Sequence, residues 1–126
     1  MLYVDTSAAA KLLQNEPESA ALSAFLRSAA VPLVTSRIGV VELRRVGRRV
    51  GVADRADAIA ATLVAVELDE LVERAALEVD QGLKTSDAIH LATAALVGEP
   101  LQGFVCYDAR LALAAQALGL TVLAPS

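Results

Sequence analysis

With Cys106 as its only cysteine, the chain cannot close an intramolecular disulfide or build a cysteine-rich metal centre. Tryptophan is absent, and Tyr3, Phe25, Phe104 and Tyr107 are the only other aromatic rings besides His90. Ala, Leu and Val must therefore supply the core, and few rings remain on which bases could stack. His90 is the one histidine; without a spare His or a Ser-His-Asp set, a covalent mechanism has little to stand on. No run approaches the ~18 consecutive apolar residues of a membrane span. Met1 leads straight into a strand-like segment with no basic region and no signal-peptide core, so a cytoplasmic protein is expected. A Gly-rich phosphate loop ending in Lys-Ser/Thr is missing too, which removes support for nucleotide hydrolysis of that kind.

What is present is hydrophobic and acidic. The 126 residues suit one domain, 1–126, and 56% of them are hydrophobic, a surplus that hints at a partner or second copy over some apolar surface. Eleven basic and fifteen acidic residues give a net charge of −4. Set aside the four acids discussed below and the two signs balance at eleven each. The acidic total therefore does not exclude a polyanionic substrate, and Arg44, Arg45, Arg48 and Arg49 crowd into six residues.

Strand and helix patterns alternate. Strands are expected at Leu2–Val4, Pro32–Thr35, Val66–Leu68, Phe104–Tyr107 and Thr121–Leu123. Between them, helical spacing covers Ser7–Gln14, Glu18–Ala29, a long helix capped by Ser36, Asp54–Val64, Glu70–Val79, Asp87–Val97 and Arg110–Leu118. Thr85 or Ser86 is the expected cap of the Asp87 helix, Gly98 and Gly119 close two helices, and Gly47 and Gly51 weaken the late turns of another. Strands separated by helices imply an α/β fold with a parallel sheet covered on both faces.

Four carboxylates sit hard against apolar runs: Asp5 after Leu2-Tyr3-Val4, Glu42 within Ile38–Leu43, Asp87 before Ala88–Ala92, and Asp108 after Phe104–Tyr107. Crowded ionised carboxylates repel one another and lose hydration, so such a cluster calls for cations. Hard oxygen ligands suit Mg²⁺ or Mn²⁺. Each acid also has a plainer use. Asp5 and Asp108 can cap helices, Asp87 suits a first turn, and Glu42 can pair with Arg45 three residues on.

The surroundings of these acids carry a resemblance. Tyr3-Val4-Asp5-Thr6-Ser7, Val41-Glu42-Leu43, Leu83-Lys84-Thr85-Ser86-Asp87-Ala88-Ile89-His90-Leu91-Ala92-Thr93-Ala94 and Val105-Cys106-Tyr107-Asp108-Ala109-Arg110-Leu111 resemble, in order, the PIN domain, and within it the VapC toxins of toxin–antitoxin pairs. The resemblance implies a three-layer α/β/α PIN-like fold with a mostly parallel central sheet. It implies a metal-dependent endoribonuclease whose acidic quartet falls on Asp5, Glu42, Asp87 and Asp108, holding Mg²⁺ or Mn²⁺. Thr6, Ser7 and Ser86 would support those acids, and His90 would be structural or supporting. It also implies a cognate VapB-like antitoxin, for which the segments Ser7–Gln14 and Glu18–Ala29 offer an apolar groove, and a homodimer. One departure is Cys106, where relatives often carry Thr or Ser; a thiol is a weaker donor.

In this scheme one or two ions, paired ones typically ~3.5–4 Å apart, activate a water and relieve charge on the phosphate. Asp5 is the expected central ligand, Asp87 and Asp108 complete the set, and Glu42 binds metal or orients the water. Arg44, Arg45, Lys84 and Arg110 are candidate phosphate contacts, with pairing to Asp54 and Asp57 the competing use of the arginines. Scarce rings favour recognition of a structured RNA by shape and backbone. A haloacid-dehalogenase-type phosphatase would need a second Asp where Ser7 stands. The alternative of a different class is a catalytically silent PIN-like module that binds RNA or protein.

Overall fold

The computed structural model describes residues 1–126 throughout. Its strands are β1 (Leu2–Val4), β2 (Leu33–Ser36), β3 (Val64–Val66), β4 (Gly103–Val105) and β5 (Val122–Leu123). Seven helices alternate with them: α1 (Thr6–Lys11), α2 (Ser19–Ala29), α3 (Arg37–Arg49), α4 (Ala53–Ala60), α5 (Glu70–Glu78), α6 (Thr85–Val97) and α7 (Ala109–Ala117). The strands form one sheet in the order β3-β2-β1-β4-β5, with every neighbouring pair parallel.

Successive strand residues point to opposite faces, and this divides the core in two. Leu2, Val4 and Val105 face a cluster filled by Ala8, Leu22, Leu26, Leu43 and Ala56 from α1 to α4. Tyr3, Val34, Phe104 and Cys106 face the other way and are covered by Leu91 and Ala94 of α6 and by Leu111 and Ala115 of α7. The rings of Tyr3 and Phe104 stack there with centroids 5.1 Å apart. α5 packs on α6 through Val72, Ile89 and Ala92. The result is the three-layer α/β/α arrangement anticipated above.

β1 occupies the centre, and its position decides where chemistry can gather. The chain builds outward through β2 and β3, then returns to the other flank of β1 to add β4 and β5. The direction of growth thus reverses between β1 and β4. In open parallel sheets, ligands lodge outside the carboxyl ends of the strands at such a reversal. Asp5 and Asp108 follow those two strands, and the Asp5 amide bonds the Val105 carbonyl at 3.2 Å.

Local departures from expectation have simple causes. β3 lies two residues earlier than Val66–Leu68, and α4 stops at Ala60 rather than Val64, because a short apolar run satisfies either pattern. α6 begins after Lys84, with neither Thr85 nor Ser86 capping it. Gly47 is a packing residue more than a weak point. A Cβ there would strike the Ala56 Cβ of α4, so the missing side chain lets α3 and α4 meet. Gly47→Ala should therefore destabilise the fold by about 1–3 kcal/mol despite the better helix propensity of Ala. Urea unfolding would check this; a midpoint shifted upward would mean the contact is slack.

Candidate active site

Asp5 and Asp108 are both caps and candidate ligands. As N-cap of α1, Asp5 accepts the Ala8 amide at 2.9 Å and the Ser7 hydroxyl at 2.7 Å, both on Oδ1. Asp108 caps α7 by accepting the Leu111 amide at 2.9 Å, again on Oδ1. The plainer use of each acid is thus real, yet it occupies one oxygen and leaves Oδ2 without an amide or hydroxyl donor. Asp5 is only 3% exposed. Burial pushes its pKa above the ordinary carboxylate value, against the lowering pull of the Ser7 and Ala8 hydrogen bonds.

Glu42 has no ion pair with Arg45. It crosses instead to α1 and α6, where its Oε1 accepts the Thr6 hydroxyl at 2.7 Å and meets His90 Nε2 at 2.8 Å. His90 Nδ1 lies 2.7 Å from the Tyr3 hydroxyl, which also accepts the Ser36 amide at 3.1 Å. Burial alone would raise the Glu42 pKa, but the bonds to His90 and Thr6 outweigh it and hold the group below its usual value. Consecutive hydroxyls are therefore divided: Thr6 serves Glu42 and Ser7 serves Asp5. Ser7 also accepts the Tyr107 amide at 3.0 Å, tying the start of α1 to the segment that leads to Asp108.

Asp87 stands in the first turn of α6. Burial and the charge of Asp108 raise its pKa, Glu42 adds to the effect, and Lys84 opposes it. Ser86, freed from capping, lies close enough to Glu42 to help lower its pKa. Cys106 donates weakly, from Sγ to the Asp108 carbonyl at 3.4 Å. Burial and Asp5 push its thiol well up, so it stays protonated.

Asp87 feels the charges of Asp108 and Glu42, but the four acids are not drawn to a point, since no three of the chain's His, Cys, Asp and Glu side chains form a group that could hold a metal. Residues 2–117 match the PIN domain family. Ribonuclease VapC35 of Mycobacterium tuberculosis is 40% identical over 131 residues, covering 99% of this chain and 97% of that protein. The chain belongs to the VapC family of PIN domains. Ribonuclease VapC46 of the same organism is 39% identical over 131 residues, with 99% and 98% covered. Among solved structures, a toxin–antitoxin complex from Klebsiella pneumoniae superposes with TM-score 0.79 at 20% identity, covering 100% of this chain and 98% of that one. Mycobacterium tuberculosis VapC20, a sarcin-ricin loop cleaving toxin, gives TM-score 0.75 at 19% identity over 90% and 95%. Those two likenesses bear on the fold.

In this PIN domain the donor chemistry suits a hard divalent cation. Mg²⁺ usually keeps several waters and takes one or two carboxylates, with substrate phosphate completing its shell. Asp5, Glu42 and Asp108 are each hydrogen-bonded through one oxygen and leave the other open, which suits that demand. The raised pKa values of Asp5 and Asp87 come first from burial, a common feature of functional sites.

The basic residues divide unequally. Asp57 of α4 engages Arg44 Nε at 2.9 Å and Arg48 at 3.2 Å, so half of the arginine cluster has the competing use foreseen for it. Asp54 takes no part. Arg45 forms no ion pair and borders a shallow hollow with the exposed Val41. Lys84 and Arg110 are also free of ion pairs, and Arg110 reaches back over Gly82.

His90 and Tyr3 are what local sequence patterns undervalued. Both are buried, with exposures of 1% and 0%, and they join Glu42 across 87 and 48 residues of chain. The one available signal was that the only histidine follows Asp87 by a single helical turn.

Proposed function

We propose that this PIN domain is a Mg²⁺- or Mn²⁺-dependent endoribonuclease and the toxin of a toxin–antitoxin pair. The observation carrying this reading is the set of three carboxylates at the sheet's reversal point, Asp5, Glu42 and Asp108, each hydrogen-bonded through one oxygen only. The names of the VapC35 and VapC46 relatives support the choice of RNA as substrate.

A bound ion would polarise the scissile phosphate and make a water nucleophilic near neutral pH. Asp5 is the central ligand, with Asp87 and Asp108 completing its carboxylate set. Glu42, ionised and fixed by Thr6 and His90, either joins them or accepts a proton from the attacking water. Ser7 orients Asp5, and Ser86 lies beside Glu42. Arg45, Lys84 and Arg110 meet RNA phosphates, while Arg44 contributes only as far as Asp57 releases it. No helix is long and apolar enough to cross a membrane, and a cytoplasmic site of action belongs to the same proposal.

A VapB-like antitoxin would lie in the groove of about 460 Å³ between α2 and α4, where Leu12, Leu26, Leu33 and Ile59 form the floor. A helix laid in an apolar groove is a common mode of peptide recognition. Homodimerisation would cover further apolar surface.

The test is cleavage of total cellular RNA by purified protein with Mg²⁺ or Mn²⁺, with EDTA, and with Asp87→Asn. Discrete products that need the metal and fall at least about tenfold in the variant are expected. If wild type and variant bind RNA equally and neither cuts it, the silent binding module takes over.

A further inference from the structure

The hydrogen bonds around His90 form a directed chain whose polarity can be worked out. It begins at the Ser36 amide, which donates to the Tyr3 hydroxyl at 3.1 Å. It continues from Tyr3 to His90 Nδ1 at 2.7 Å and from Nε2 to Glu42 Oε1 at 2.8 Å. We propose that Tyr3 and His90 are positioning residues, in which the Tyr3 hydroxyl donates to His90 Nδ1 and the Nε2–H of the ring held in this way fixes Glu42 for catalysis. This rests on the nuclease reading given above.

The direction follows from the far end. An ionised carboxylate only accepts, so Nε2 must carry the proton that bonds Glu42. Thr6 supports the same assignment. Its single hydroxyl proton goes to Glu42 Oε1, and its oxygen, 3.0 Å from Nε2, can only receive. A neutral ring protonated at Nε2 has a bare Nδ1, which needs a donor. Tyr3 is the sole group bonded to it. The Tyr3 oxygen already accepts the Ser36 amide, which leaves its own proton to point at Nδ1.

The ring has little freedom to choose otherwise. The Tyr3 ring meets it edge-on at 5.8 Å. On another side Gly39 of α3 has no side chain, and a Cβ there would lie 2.8 Å from His90 Cε1. His90 is thus bonded at both nitrogens and confined by α3. Its tautomer and the placement of the carboxylate become one property.

The experiment pairs ¹⁵N NMR of the imidazole with cleavage kinetics on wild type and Tyr3→Phe. In the wild type, Nδ1 should resonate as an unprotonated nitrogen and Nε2 as a protonated one. In Tyr3→Phe the Nδ1 nitrogen loses its only donor while Glu42 still holds Nε2–H, so the Nδ1 resonance should move toward that of a nitrogen with no hydrogen bond, and kcat should fall roughly 10–100-fold with KM for RNA little changed. A parallel loss in KM alone, or an unchanged kcat, would overturn the proposal. So would a wild-type ring protonated at Nδ1 or at both nitrogens, a result that needs no folded variant. If wild type cuts no RNA, the nuclease reading fails separately, and the Nδ1 shift in Tyr3→Phe still decides whether this chain of bonds acts as described.

Discussion

Asp5→Asn should abolish cleavage while leaving the protein at least as stable as before. The amide oxygen of Asn can still accept the Ala8 amide and Ser7 hydroxyl that now bond Asp5 Oδ1, and Asn is as good an N-cap as Asp. What disappears is a charge on a residue 3% exposed. Activity should drop by at least about 100-fold, since even the hydrogen-bond partners of a metal ligand cost about 10–100-fold when lost. The stability gain has a pH signature. Burial raises the folded pKa of Asp5 above the model-peptide value of 3.8. Its contribution is therefore fully favourable below 3.8 and is lost as pH rises through the raised folded value. Asn has no such loss. Thermal unfolding in EDTA should show the two proteins alike in acid, with the variant pulling ahead toward neutral pH. Mg²⁺ should then raise the wild-type midpoint and not that of the variant. A variant that melts earlier at neutral pH would show that the charge is compensated by the protein itself, and the case for a cation would fall with it.

Gly39→Ala is expected to damage fold and activity together. Its Cβ would lie 2.6 Å from Thr35 Oγ1 and 2.8 Å from His90 Cε1, distances at which something must move. Neither neighbour yields cheaply, because Thr35 is buried in β2 and His90 is bonded at both ring nitrogens. Overpacking of this kind costs about 1–3 kcal/mol. The displaced ring also lets go of Glu42, so cleavage should fall further than the loss of folded protein explains. His90→Ala supplies the control. Once the ring is gone, adding Gly39→Ala should cost less, with a coupling of about 0.5–3 kcal/mol between the two sites. Strict additivity in unfolding experiments would mean that α3 shifts as a body, and that His90 is not what the new methyl meets.

Much of the architecture was legible because the elements are short and strongly punctuated. Ser36 caps α3, Asp5 and Asp108 cap α1 and α7, and Gly98 and Gly119 end α6 and α7 as their positions suggested. The place of Asp5 and Asp108 after β1 and β4 also followed, once strand ends were recognised. Other features depend on which distant segments meet. The apolar stretch around Leu63–Val66 fits helix or strand, and only its parallel pairing with β2 makes it β3. Gly47 looks like a flaw in a helix until Ala56 is seen beneath it. Glu42 had a local partner available in Arg45, but its actual partners lie 36 and 48 residues away. Asp57 draws Arg44 and Arg48 to α4 across a turn that fixes no geometry in advance. Period and propensity cannot express such pairings, because they report on neighbours along the chain.

The central place of β1 has a consequence for the moment of synthesis. Tyr3, Asp5, Thr6 and Ser7 are translated about a hundred residues before Gly103–Val105, through which β1 acquires its second neighbour. Pairings this far apart in the chain form late, since the intervening loop must close first. A nascent chain can pack α1 to α4 on one side of β1 and β2, but Asp108 and the Asp5–Val105 bond arrive last. The sheet edge that carries Asp5 and Asp108 is therefore complete only after residues 103–108 have been made, whereas the face packed by α1 to α4 can form earlier.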